Sequence, residues 1–205
     1  IADDEQRKSI YENYKTSPYG FPCVFPSFKR YNTPDGLGFG RHSGTVWPHI
    51  QGFWADAVAQ SGRTDLFDKE LIIQADNALR YYQFAEIYHP LTGEIYGGRQ
   101  ENGGKIAEWR AEPYQTWSAT AFLRNIYMNL IGMRFTENGI VFEPAGSNLI
   151  KKLELKNLRY RNAVINIKLE GSGNKIKFFS MNGEQREPFI RADETGVLDV
   201  VIKLY

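Results

Sequence analysis

The sequence predicts an α+β fold, with helical hairpins over residues 1–132 followed by a small antiparallel β-sandwich-like domain over 133–205. Three observations carry this expectation. Ahead of Gly132, apolar residues recur at helical spacing. Beyond it they alternate with polar residues, as in Ala163, Ile165, Ile167 and Leu169, and again in Leu198, Val200, Ile202 and Leu204. Gly171-Ser172-Gly173-Asn174 and Asn182-Gly183 then read as turns between strands.

Taken in order, residues 4–14 read as a short helix. The stretch 17–43 is irregular, because Pro18, Pro22, Pro26 and Pro34 block regular helix. A loop of that length inside a compact domain points to function or to a misassigned element. Val46, Trp47, Ile50, Phe53, Trp54, Ala57 and Val58 then fall on one helical face, and Gly62 stops that helix. Thr64 or Asp65 caps the next, which is expected to bury Phe67, Leu71, Ala75, Ala78 and Tyr82. Together they read as a helical hairpin. A second irregular segment, 88–112, holds five glycines: Gly93, Gly97, Gly98, Gly103 and Gly104. A last helix over 114–131 is apolar on nearly every side and is expected to be buried all round inside a larger helical assembly. Five to seven short antiparallel strands follow.

Bulk properties exclude several classes. Lys+Arg is 25 and Asp+Glu 24, a net charge of +1 that argues against a nucleic-acid partner. No stretch approaches the roughly 20 apolar residues of a spanning helix, so no membrane role is expected. The lone Cys23 cannot form an intrachain disulfide and reads as a packed side chain. There is no Gly-x-Ser-x-Gly elbow and no phosphate loop. The spacing of His42, His49 and His89 matches no zinc pattern, so no metal or cofactor is expected. The chain does not begin with Met and reads as a processed or excised piece.

Polar and aromatic residues crowd three places: 40–51, 84–94 and 115–119. In the first, Pro48 suits the opening turn of a helix. Arg41, His42, Trp47, His49 and Gln51 then crowd one helix mouth and offer donors and a flat ring to a polyol. The competing reading is that Trp47 packs and Gln51 caps. In the second, Glu86 leaves a helix end for a Gly/Pro loop, where the negative end of the helix dipole raises the proton affinity a general base needs. The competing reading is a solvated glutamate. Trp54, Tyr88, Glu94 and Trp117 complete the candidate substrate contacts.

Gly44-Thr45-Val46-Trp47-Pro48 resembles the Gly-x-x-Trp-Pro motif of the six-hairpin glycosidases, among them the processing α-glucosidase, mannosylglycerate-hydrolase-like and amylo-α-1,6-glucosidase-like enzymes. The run from Glu86 through Tyr88, Pro90, Thr92 and Gly93 looks like their Glu-x-Tyr-x-Pro-x-Thr-Gly motif. Trp117-Ser118-Ala119 is similar to the start of their last inner helix, and Gly132 to Pro144 to the passage into their β tail. The resemblance implies that residues 1–132 are part of an (α/α)6 toroid. It also implies inverting hydrolysis of an oligosaccharide or glycoside, with Glu86 as general base. Trp47, Gln51, Tyr88 and Trp117 resemble pocket-wall residues. The family's general acid is an Asp from an upstream portion, so this chain is expected to be catalytically incomplete alone. Within the chain, Glu101, Glu108 and Glu112 are the acids that could replace it. His49-Ile50-Gln51 departs from the Asn-containing tail usual after Trp-Pro, so the sugar is not carried over. A glycoside phosphorylase, a non-catalytic carbohydrate-binding remnant and an epimerase or lyase are the alternatives.

Overall fold

Asp3 opens the first helix, α1 (Asp4–Asn13), with a reciprocal capping box to Gln6. This is a computed structural model, and it describes residues 2–205. The chain forms two compact units, one of residues up to Trp54 with Ile72–Ala121, the other of Ala55–Leu71 with Phe122–Tyr205. It passes from one to the other inside three helices, α2 (Pro48–Gln60), α3 (Thr64–Tyr81) and α4 (Thr116–Arg124).

The toroid implied by the resemblance is overturned. Among the described residues there are four α-helices and ten strands in three sheets, with helix and strand in near-equal shares of 29% and 30%. Segments that a toroid would need as paired helices are spent otherwise. Residues 14–47 hold only a single 3-10 turn at Lys29–Tyr31 and isolated bridges. The glycine-rich segment holds a hairpin, β1 (Arg99–Asn102) and β2 (Lys105–Glu108). Gly103 and Gly104 close it with positive φ of 58° and 77°, as a two-residue turn of right-handed strand twist demands. Nor is the last helix buried all round. Within α4 Ser118 is buried, whereas Trp117 and Leu123 are nearly half exposed. Apolar content supplies the wish to be buried, and only a neighbouring element fulfils it. Beyond Arg124 the helix widens into a π turn, Asn125–Leu130, and Gly132 ends it at φ +82°.

The helical faces also differ from those expected. The buried stripe of α2 is Gln51, Trp54, Ala55, Val58 and Ala59, so the face is rotated and Phe53 is 61% exposed. In α3 the buried stripe mixes Phe67 and Leu71 with Glu70, Gln74 and Asn77. Tyr82 lies past its end with φ 52° and is 92% exposed, because the chain has already turned away from the helix axis.

In the second unit a five-stranded sheet has the order β5-β6-β10-β7-β8. Its strands are β5 (Lys152–Tyr160), β6 (Ala163–Glu170), β7 (Ile176–Met181), β8 (Glu184–Gln185) and β10 (Gly196–Leu204). A smaller sheet joins β3 (Met133–Phe135), β4 (Gly139–Phe142) and β9 (Phe189–Arg191). Side chains of both sheets meet in one core: Ile165, Ile167 and Leu169 of β6, Leu198, Val200 and Ile202 of β10, Phe179 of β7, and Ile140, Phe142 and Ile190. There are eight strands after Gly132 rather than five to seven, and they are not all antiparallel. β10 pairs parallel with β6, Gly196 beside Ala163 and Lys203 beside Glu170. Between β8 and β10 the chain visits the other sheet as β9, and this excursion returns it at the Ala163 end of β6. Among the described residues no helix is long and apolar enough to cross a membrane.

Candidate functional site

The site lies within the first unit and is built around Arg41 and Glu86. Glu86 and Glu112 hold each other in register: the Glu86 amide donates to the Glu112 carbonyl at 3.0 Å, and the Glu112 amide donates to Glu86 Oε2 at 3.0 Å. The next rung, Gln115 N–H to the Phe84 carbonyl, is 2.7 Å. Arg41 Nη2 reaches the same Oε2 at 2.7 Å, an ion pair whose side chains are only 13% and 7% exposed. Both contacts use one carboxylate oxygen and leave Oε1 outside them. Arg41 is itself fixed from several directions. Its Nη1 donates to the Gly97 carbonyl at 2.9 Å, and its carbonyl accepts from Trp47 Nε1 and Thr45 Oγ1, each at 2.6 Å. Gly98 permits this approach. At φ +76°, a Cβ there would sit 2.4 Å from Arg41 Cα.

Above the ion pair lies a cluster of rings. The Arg41 guanidinium is 5.3 Å from the Trp47 ring centroid, within cation–π range. His42 stacks on Trp47 at 5.1 Å and 19°, and His49 stacks on Trp117 at 4.8 Å and 25°. Trp47 meets Trp117 edge-on at 5.9 Å. Trp47 is buried, whereas His42 and Trp117 keep open surface. The arrangement presents flat apolar faces beside a fixed carboxylate, the combination that grips a sugar ring by its C–H face and its hydroxyls.

Burial pulls the His49 imidazole below its ordinary value of 6.5, and the negative Glu86 pulls the other way. Among the described residues its Nδ1, which is buried, has no hydrogen-bond partner. Folding therefore holds His49 neutral. The stability this contributes is whole above the unfolded value of about 6.5 and is lost as pH falls from there through the lower folded value. The wild-type urea midpoint is expected to drop more than that of His49→Gln between about pH 7.5 and about pH 5.5. Parallel shifts of the two midpoints would defeat this account.

The structure brings together six of the predicted site residues: Arg41, His42, Trp47, His49, Glu86 and Trp117. The others lie apart. Gln51 is fully buried against the 17–20 turn, where a Cβ on Gly20 would meet its Nε2 at 2.5 Å. Trp54 stacks on Phe21 at 4.5 Å and 14°, with Tyr14 beside it, in a separate aromatic cluster. Tyr88 is 2% exposed, and its hydroxyl accepts from the Ala85 amide. Glu94 sits in an exposed turn with Thr92. His89 is structural too. Its Nδ1 accepts from the Leu91 and Thr92 amides at 3.2 Å, so its Nε2 donates to the Leu37 carbonyl. Cys23 bonds Thr45 Oγ1, and burial pushes its thiol up, away from the reactive thiolate. Glu101 and Glu108 are exposed, and Glu112 enters the site through its amide. That amide and the Gly97 carbonyl were missed by reading side chains. The paired Gly97-Gly98 was the one available signal of a close backbone approach there. Neither a family model nor a curated protein matches the chain.

Proposed function

We propose that the chain carries a sugar-binding site for hydrolysis of a glycosidic bond, with Glu86 as the group that takes the proton from the attacking water. One observation supports this above the rest: a largely buried carboxylate is fixed through a single oxygen by Arg41 and the Glu112 amide, and the same Arg41 lies against Trp47 in a cluster of indole and imidazole rings. Sugar rings stack on Trp117 and His42. Water approaches the anomeric carbon from the carboxylate side and passes its proton to Glu86 as the new C–O bond forms. Inverting chemistry needs a second carboxyl group across the bond to protonate the leaving oxygen. Among the described residues this cluster holds one carboxylate side chain, so the reading assigns the chain the water-activating half of the reaction. The binding-only alternative draws on the same ion pair, which also ties three segments of backbone together.

A glycosyl fluoride separates the two, because fluoride departs without a protonating acid. Water attacks, the C–F bond breaks, and the proton goes to the base. Across α- and β-glycosyl fluorides, the chain is expected to release fluoride from at least one. Glu86→Gln is expected to lower that rate by about 100-fold, while sugar still quenches Trp117 fluorescence. Equal release by the variant, or none above buffer, would leave only binding.

A further inference from the structure

We infer that the sugar bound at this site carries an anionic substituent, held in a second cleft that shares His42 with the aromatic cluster. The inference rests on the sugar-site reading and adds a substrate class to it. The cleft lies wholly within the first unit and has a volume of about 470 Å³. Two arginines line it, and among the described residues neither forms an ion pair. Arg30 stacks its guanidinium over Tyr31 at 4.9 Å and over Phe28 at 5.4 Å. Stacking on ring faces uses none of its N–H groups, so the donors stay available in the guanidinium plane. Arg99 is anchored through Nη1, which donates to the Tyr31 carbonyl at 2.9 Å and the Asn32 carbonyl at 3.4 Å. Among the described residues its Nη2 makes no hydrogen bond. One carboxylate, Glu101, shares the wall, so two cations, of which Arg99 is anchored, face one anion.

The geometry joins this cleft to the sugar site. His42 is part of its wall and also stacks on Trp47, so a single imidazole borders both. On the far side Gly103 and Gly104 leave open space, with nothing within 4 Å of where a Cβ would stand. A ring lying against the indoles can therefore extend a carboxylate, sulfate or phosphate toward Arg30 and Arg99. Such charge-assisted hydrogen bonds to guanidinium are roughly twice as strong as neutral ones.

The test uses the full chain, labelled with nitrogen-15. Glucuronate, mannuronate, glucose 6-sulfate and glucose 6-phosphate are titrated against glucose and mannose, following the Gly103 and Gly104 amides and the Trp47 and Trp117 indole N–H signals. At least one acidic sugar is expected to move both sets of signals and to bind about tenfold tighter than its neutral parent. The member that binds best identifies the anion. That preference should fall to about one in Arg30→Ala, an exposed position, and in Arg99→Gln, and it should weaken with added salt. Equal affinities for acidic and neutral sugars, with only the indole signals moving, would overturn the anionic assignment and keep the sugar site. Inorganic sulfate moving the glycine amides as strongly as the sugar acids would overturn it too, by making this a bare-anion site. Silence at both sets would remove the sugar site as well.

Discussion

Arg41→Met is expected to destabilise the chain by about 3–5 kcal/mol, the usual consequence of removing one member of a buried ion pair. The replacement fills much of the space of the arginine stem. It leaves Glu86 with a side chain 7% exposed and only the Glu112 amide opposite its charge. The Gly97 carbonyl, 2.9 Å from Arg41 Nη1, loses its donor as well. Urea unfolding of Arg41→Met, Glu86→Gln and the double variant measures the coupling directly. The double variant should recover part of the loss, because the uncompensated charge is gone. A single-variant loss under about 1 kcal/mol, the range of solvent-exposed pairs, would mean that the Arg41–Glu86 pair is hydrated like a surface pair rather than buried.

The second large effect lies in the β core. Ile202→Ala should cost about 2–5 kcal/mol and Ile202→Val about 0.5–1.5 kcal/mol. Ile202 is fully buried on β10, flanked by Leu169 of β6 and Phe179 of β7, so neighbours on both sides would border the cavity. Lys168→Ala, on the exposed face of β6, serves as the control and should stay within about 0.5 kcal/mol. Similar losses at positions 202 and 168 would show that β10 does not occupy the middle of the sheet.

The alternation that marks β6 and β10 in the sequence is the alternation of their burial: Ala163, Ile165, Ile167 and Leu169, then Leu198, Val200, Ile202 and Leu204, are all buried. Period two states which side chains share a face. It carries no information about which strand lies alongside, so the parallel pairing of β6 with β10 was not legible. In the helices, counting apolar residues misplaced the faces. Glu70, Gln74 and Asn77 are buried on α3 while Phe53 on α2 is largely exposed, because burial follows what packs nearby.

The site divides in the same way. Trp47 and Glu86 stood out in the sequence because each sits where polar and aromatic residues crowd beside Gly and Pro. That Arg41 pairs with Glu86 across 45 positions was not, because loop closure at that range leaves no periodic trace. Trp54 and Tyr88 are aromatic residues beside the same clusters, yet both are buried, Trp54 stacked on Phe21 and Tyr88 tilted against Tyr81. Only tertiary placement separates an aromatic residue facing a ligand from one filling a core.

The central place of β10 imposes an order on how the second unit is made. Its two neighbours, β6 and β7, leave the ribosome first but have no strand to lie between them until residues 196–204 follow. Until then each presents an unpaired backbone edge to any passing chain. Translation that stalls before residue 196 would thus release a polypeptide with its apolar strands made and the strand that joins them missing, a species prone to aggregate rather than a smaller folded protein.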